Sequence, residues 1–195
     1  MNAHPMHPFL TRAASAAAEV AAAVPAGQRL DAPTPCPEFD LRALINHWVL
    51  YTSHGLEHRA RRIELPEELS ARDFTADADW RSAYAAQLER AVAAWAEPGA
   101  WEGDLDLGGS PVPAVGIARM LVLELLLHGW DVARAVGGEI AVDDELARLT
   151  LEIVEENAAL YRQYAGFADV VAVPDDAPAW DRALAASGRD PRWKA

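Results

Sequence analysis

The chain has 195 residues, a length that suits one domain with a tail and excludes two large domains. Its formal net charge of −13 repels phosphate backbones and anionic lipid headgroups, so we expect neither nucleic acid nor a membrane as a partner. Hydrophobic residues make up 51 % of the chain, which excludes a disordered acidic protein and predicts a folded core.

The cysteine content and the apolar segments bear on the compartment of the protein. A single cysteine, Cys36, excludes an intrachain disulfide and a cysteine-rich zinc cluster, and it fits a reducing compartment. The alanine-rich start lacks the apolar centre of a signal peptide. The apolar stretch at residues 120–127 is interrupted by Glu124 and is far shorter than the roughly 20 residues of a membrane span. We therefore expect a cytoplasmic protein, either a monomer or a homodimer.

Three helices are predicted in the first half of the chain. Residues 8–24 are nearly all strong helix formers, and a proline and a glycine follow them. Apolar residues at helical spacing predict a second helix over residues 41–63, with Asp40 as its N-cap. A third amphipathic segment covers residues 80–95 and stops at a Pro-Gly pair.

The second half predicts a short hairpin or wide loop at residues 101–114, followed by two more helices. The fourth helix starts near Ala114 and is apolar around almost its whole circumference, so it should be the most buried. Acidic residues open a fifth helix at about residue 143, and residues 179–187 predict one or two further helical turns. We expect an all-α, four-helix bundle forming a single domain over residues 1–195, with an extra C-terminal helix and tail.

Glu124 is the most informative residue for function. A carboxylate among Leu, Val and Met needs a partner, because burying it alone costs several kcal/mol. His128 lies four residues later on the same helical face, and His47 could supply a third ligand from the second helix. Two histidines and one glutamate leave a position of a tetrahedral zinc ion open, as in catalytic zinc sites.

A simpler interpretation needs no metal. In it, Glu124 and His128 form a buried hydrogen-bonded pair, and His47 is a core histidine that bonds to a carbonyl. Asp131 shares the face of His128 and could orient that imidazole through its second nitrogen. Alternatively, Asp131 pairs with Arg134 on the surface.

The second helix presents four residues at helical spacing: His47, Tyr51, His54 and His58. If the four residues share one face, Tyr51 and His54 would reach the cavity of the candidate metal ligands. There they would hydrogen-bond to a ligand or contact the substrate. Alternatively, His54 and His58 approach a solvated helix end that carries three arginines: Arg59, Arg61 and Arg62. If this basic cluster borders the site, it attracts an anionic substrate.

Two tryptophans and the single cysteine each have more than one possible role. Trp48 and Trp130 are expected mainly in the core, with the pocket wall as a second possibility. Cys36 precedes a predicted helix N-terminus, which lowers the pKa of a thiol, but no histidine is adjacent in sequence to act as its base. The role of Cys36 is therefore left open.

Three segments carry a resemblance to a known family: PTPCPEFDLRALINHWV, LELLLHGWDVARAVGG and RALAASGRDPRW. Together they resemble an actinobacterial branch of the DinB-like superfamily, related to the N-terminal domain of mycothiol-dependent maleylpyruvate isomerase. The resemblance implies a DinB-like four-helix bundle in which His47, Glu124 and His128 match the three metal ligands. The ion is usually zinc, with nickel or iron as other choices.

The resemblance also implies a type of chemistry. Relatives that are enzymes transfer or add low-molecular-weight thiols, and the metal lowers the pKa of the bound thiol. We expect a mycothiol-dependent S-transferase or isomerase with a small-molecule thiol and an electrophilic substrate as partners. The alternatives are a metal-dependent hydrolase that activates water and a non-catalytic metal or small-ligand binding protein. The isomerase has a further C-terminal domain, so we expect a reaction other than maleylpyruvate isomerisation itself.

Overall fold

Helices account for most of residues 4–195, the part of the chain that the computed structural model describes. Their bounds are α1 (His7–Ala23), α2 (Leu41–Val49), α3 (Gly55–Arg61), α4 (Glu67–Ser70), α5 (Trp80–Trp95), α6 (Ala114–Ala135), α7 (Asp144–Gln163) and α8 (Ala179–Ala186). The strands β1 (Asp104–Leu107) and β2 (Ser110–Pro113) form an antiparallel hairpin. The all-α fold class with a short hairpin before the fourth long helix is confirmed.

Several helix ends follow from local side-chain chemistry. Asp40 accepts a hydrogen bond from the backbone N–H of Ala43 at 2.8 Å and so caps α2, as its position in the sequence predicts. Asp143 caps α7 in the same way, through the N–H groups of Glu145 and Leu146. After α6, Gly137 adopts a φ of +75°, a conformation that glycine supplies without steric cost.

Four rods form the bundle. α1 packs against α5 and α6, while the α2–α3 rod packs against α6 through α2 and against α5 through α3. α7 lies on α6, and α8 lies on α7. Ala13, Ala17 and Ala21 on α1 are fully buried, and such small side chains allow neighbouring helices to approach closely.

Helix α6 is the most buried element of the bundle, as expected. Apolar residues on most of its circumference belong to one continuous core that runs from Met6 to Leu184. A polar residue on α6 therefore needs a specific partner, and this helix carries two of the candidate ligands.

No helix within residues 4–195 is both long enough and apolar enough to cross a bilayer.

The second predicted helix is interrupted by a single π-turn at Leu50–His54, where the N–H of Gly55 bonds to the carbonyl of Leu50. Two buried hydroxyls accompany this turn. Thr52 donates to the Trp48 carbonyl, and Ser53 donates to the Val49 carbonyl, both at 2.6 Å. Hydroxyls that bond to the carbonyl four residues earlier compete with the α-helical ladder, which accounts for the local change of helix type.

The π-turn changes which residues share the face of His47. One extra residue in a helix rotates everything that follows by about 100°. Gly55 and Arg59 thereby take the positions that His54 and His58 would occupy in an uninterrupted helix. The prediction that His47, Tyr51, His54 and His58 form one face is therefore wrong at His54. His54 instead stacks on Phe74, with ring centroids 5.4 Å apart.

The loop before α5 is attached to α2 through Asp73. Its carboxylate accepts hydrogen bonds from Thr75 at 2.6 Å, from Asn46 at 2.9 Å and from Arg42 at 2.9 Å. The hydrogen bonds from Thr75 and Asn46 make the largest contributions, and together with Arg42 they lower the pKa of Asp73 to about 2.

The substitution Asp73→Asn is expected to lower the free energy of unfolding by about 1 kcal/mol at pH 7, a value reduced for solvent screening because the side chain is 43 % exposed. Since the pKa is depressed in the folded state, the stabilisation is complete above about pH 4 and is lost as the pH falls towards 2. Urea denaturation of both proteins at pH 7 and near pH 2.5 measures this loss. An undiminished difference at the lower pH would contradict the prediction.

Candidate metal centre

Three candidate ligands meet between α2 and α6. His47 Nε2 lies 3.3 Å from Glu124 Oε2, and His128 Nε2 lies 3.5 Å from the same oxygen. One ligand atom from each of the three side chains lies within 4.8 Å of the other two. Glu124 and His128 are one turn apart on α6, and the packing of α2 on α6 brings His47 to them.

Glu124 is ionised at neutral pH in this setting. Burial alone raises its pKa, but the hydrogen bond from His47 and the charges of His128 and His47 outweigh burial and hold the pKa below its usual range. Its side chain is 31 % exposed, and the exposed part faces a cavity. Glu124 therefore offers a carboxylate that both imidazoles and a cavity ligand can reach.

Asp131 fixes the tautomer of His128. His128 Nδ1 lies 3.1 Å from Asp131 Oδ2. Since a carboxylate only accepts hydrogen bonds, Nδ1 carries a proton, and Nε2 is the ring nitrogen that faces Glu124. This is the orientation that a metal-binding histidine needs. Asp131 does not pair with Arg134, whose guanidinium donates instead to the carbonyl of Trp193.

Arg189 is the partner of Asp131, a pairing that was not predicted from the sequence. Its Nε and Nη2 atoms donate to the two oxygens of Asp131 at 2.9 and 2.7 Å, and both side chains are buried. Burial raises the pKa of Asp131, but Arg189 and His128 lower it by more than burial raises it. The carboxylate is therefore ionised. The only signal for Arg189 in the sequence is that a buried Asp131 requires a cation.

Aromatic rings surround His47. The centroids of Tyr51 and Phe39 lie 4.7 and 5.2 Å from its ring, and the ring of His128 lies at 5.0 Å. Tyr51 thus lies beside His47. These rings limit how far the His47 imidazole can rotate, and they leave its Nε2 directed at Glu124.

A cleft with two cavities opens beside these residues. The smaller one, of about 170 Å³, borders His47 and Glu124 and is called the inner cavity here because it adjoins the candidate ligands. Its other walls are Tyr51, Arg59, Leu107, Ile117, Met120 and Leu121. The outer cavity, of about 450 Å³, also has Tyr51 and Arg59 in its wall. Two of the three candidate ligands, His47 and Glu124, therefore border a partly apolar cleft.

Two of the predicted site residues lie elsewhere. Trp48 is fully buried and donates from its indole nitrogen to the Leu125 carbonyl at 3.2 Å, so it belongs to the core and not to the cavity wall. His54 faces a separate cavity beside Phe74, and burial lowers its pKa. The π-turn explains the position of His54, because it turns this side chain away from His47.

Cys36 lies on a different flank of His128. Its sulfur is within 4.8 Å of a ring nitrogen of His128 and of an oxygen of Asp131. Burial, followed by the charge of Asp131, raises the pKa of the Cys36 thiol, in contrast to the lowering that a helix N-terminus would give. The thiol is protonated at neutral pH and does not have the character of a catalytic nucleophile.

The donor set fits a divalent transition metal ion. Ligand atoms about 2.0–2.2 Å from a tetrahedral zinc ion lie roughly 3.3 Å from one another. The two nitrogen–oxygen separations at Glu124, 3.3 and 3.5 Å, match this spacing. Two imidazole nitrogens and a carboxylate oxygen suit zinc, nickel or ferrous iron, and the cavity side leaves space for a further ligand.

Comparison with known proteins adds a family. Residues 10–133 match the model of the mycothiol maleylpyruvate isomerase N-terminal domain, a range that contains His47, Glu124 and His128. The chain belongs to this family. Two relatives from Mycobacterium tuberculosis are uncharacterized protein MT0763 of strain CDC 1551 / Oshkosh and uncharacterized protein Rv0738 of strain ATCC 25618 / H37Rv. Each is 32 % identical to this chain over 185 residues. The matched region covers 93 % of this chain and 96 % of the relative. No solved structure matches it.

Proposed function

We propose that the protein binds a divalent metal ion, zinc before nickel or iron, through His47, Glu124 and His128. We further propose that it uses the ion in a thiol-dependent S-transfer or isomerisation. The observation that carries the proposal is the meeting of two imidazoles and one carboxylate beside a cavity that His47 and Glu124 border. The description of the family, which names mycothiol and an isomerase, supports mycothiol as the thiol.

The residues behind the ligands have defined tasks in this proposal. Asp131 holds His128 in the tautomer whose Nε2 lone pair faces the site. Arg189 keeps Asp131 ionised and in place through two hydrogen bonds. Glu124 supplies negative charge that offsets part of the charge of a bound cation, which lowers the cost of holding that cation beside apolar side chains.

The cleft supplies the remaining requirements of the reaction. A bound divalent ion would deprotonate a coordinating thiol at neutral pH. The apolar walls formed by Ile117, Met120 and Leu121 would hold the electrophile and exclude water from it. In S-transfer, a sulfur–carbon bond forms while the leaving group departs with its electron pair. In isomerisation, the thiol adds to a double bond and is released after rotation.

The test combines the zinc-loaded protein with mycothiol and a panel of electrophiles. We expect adducts to form faster than with the thiol alone, and His47→Ala to abolish the acceleration because one of three ligands is lost. His54→Ala is the matched control, since it removes a histidine of the same helical rod that faces away from the site. Mass spectrometry of the adducts measures the rates.

Two other results would replace the proposal. Cleavage of esters or amides without added thiol would identify a metal-dependent hydrolase that activates water. Absence of both reactions in a protein that holds its metal would identify a non-catalytic binding protein.

A further inference from the structure

Arg59 differs from the other arginines of the described chain. Within residues 4–195 its guanidinium forms neither a hydrogen bond nor an ion pair, although it is half-buried. The two nearby arginines in the sequence already have partners. Arg61 pairs with Glu57 at 2.8 Å, and Arg62 donates to backbone carbonyls near the hairpin. Arg148 also lacks a partner in this range, but it is exposed. Glu124 lines the same cavity and its charge acts on Arg59, but no carboxylate within residues 4–195 bonds directly to this guanidinium, which leaves its N–H groups available for an external anion.

Two features of the α2–α3 rod place this guanidinium in the cleft. The π-turn rotates Arg59 to the face of His47 and Tyr51, as the cavity walls show. Gly55 then provides space, since a Cβ there would lie 3.0 Å from Arg59 Nη1. Glycine destabilises a helix interior relative to alanine. The presence of Gly55 at a buried helical position is explained by the guanidinium of Arg59, which packs against its Cα.

The two cavities of the cleft differ in polarity, and Arg59 lies at their junction. The inner cavity is lined largely by apolar side chains, whereas the outer one is bordered by polar groups that include His58, Asp104 and Asp106. A ligand with an apolar part in the inner cavity would therefore present an adjacent anionic group to Arg59. The combined size of the cavities is typical of a small-molecule site.

We infer that Arg59 binds the carboxylate of a small substrate whose hydrocarbon part packs in the inner cavity. A single guanidinium matches a carboxylate through two parallel N–H···O bonds. A phosphate dianion needs more positive charge than Arg59 alone supplies. Arg62 also borders the outer cavity, but its guanidinium is bonded to backbone carbonyls, and Glu124, Asp104 and Asp106 around the cleft oppose a dianion. The inference rests on the proposed function in taking this cleft as the substrate site, but binding to Arg59 requires no metal.

Titration of the metal-free protein in EDTA with hexanoate, hexanamide and pentyl phosphate tests the inference, with NMR chemical shifts as the readout. Hexanoate is expected to bind about tenfold or more tightly than hexanamide, and Arg59→Gln should remove this preference. Arg61→Gln makes the same charge change on an arginine that lies outside both cavities, and it should alter the Kd by no more than about twofold. Gly55→Ala keeps the charge but displaces the guanidinium, so it should weaken hexanoate binding while the Tm is unchanged or higher.

Other outcomes overturn the inference. Equal affinities for hexanoate and hexanamide, equal effects of Arg59→Gln and Arg61→Gln, or no binding of any probe would show that Arg59 is not a carboxylate site. Tighter binding of pentyl phosphate would replace the carboxylate with a phosphate group. Because these titrations contain no metal, their failure is distinct from a failure to bind metal or to react with mycothiol.

Discussion

Replacing Asp131 with asparagine is expected to lower the free energy of unfolding by about 3–5 kcal/mol, the largest change in stability that we predict. Asparagine fills the same space, so no cavity forms. The charge of Arg189, which is only 8 % exposed, loses the partner that offsets the cost of burying it. Urea denaturation of the metal-free proteins measures the difference.

A neighbouring ion pair provides the control for this prediction. Asp190→Asn breaks the pair with Arg192, whose side chain is 77 % exposed, and should leave the free energy of unfolding nearly unchanged because solvent screens this pair. The double substitution Asp131→Leu with Arg189→Met should recover much of the loss, because it removes both buried charges together. A loss below about 1 kcal/mol in Asp131→Asn would show that Arg189 is not dependent on this carboxylate.

The second large effect concerns metal affinity. We expect the wild-type protein to hold about one equivalent of zinc after reconstitution and Glu124→Gln to weaken binding by more than about 100-fold. The amide keeps the shape of the side chain but removes the negative charge that is shared with His47 and His128. Metal analysis after dialysis measures the stoichiometry, and competition with a chelator measures the affinity.

Thermal unfolding gives an independent measurement of the same site. A metal present at about 100 times its Kd stabilises the folded state by about 2.7 kcal/mol, so EDTA should lower the Tm of the wild-type protein. His47→Gln should abolish this response, whereas His54→Gln should retain it because His54 faces Phe74. Less than about half an equivalent of any divalent ion in the reconstituted wild-type protein would contradict the metal centre.

The helices and their ends could be predicted from the sequence because their causes are local. Asp40 and Asp143 cap helices through groups only two or three residues away. The spacing of Glu124 and His128 likewise places them one turn apart in any α-helix. The candidate ligands could therefore be selected from a pattern within one element, together with a histidine on another helix.

The face of a helix could not be predicted where its geometry changes. The sequence suggested that His54 follows Tyr51 towards the site, but one π-turn moves Gly55 and Arg59 there instead. Thr52 and Ser53 are the local residues that accompany the turn, although such residues also occur in regular helices. A shift of one residue is enough to exchange the side chains that line a cavity.

Sequence by itself determined the helical segments, the hairpin, the buried acid on the fourth long helix and the histidine one turn after it, because these depend on periodicity and caps within a few residues. Tertiary structure alone decided that His47 reaches Glu124, that Arg189 neutralises Asp131 and that Arg59 borders the cleft. These contacts join residues far apart in the chain, and their formation depends on the packing angles and the rotational phase of whole helices, which no short sequence pattern specifies.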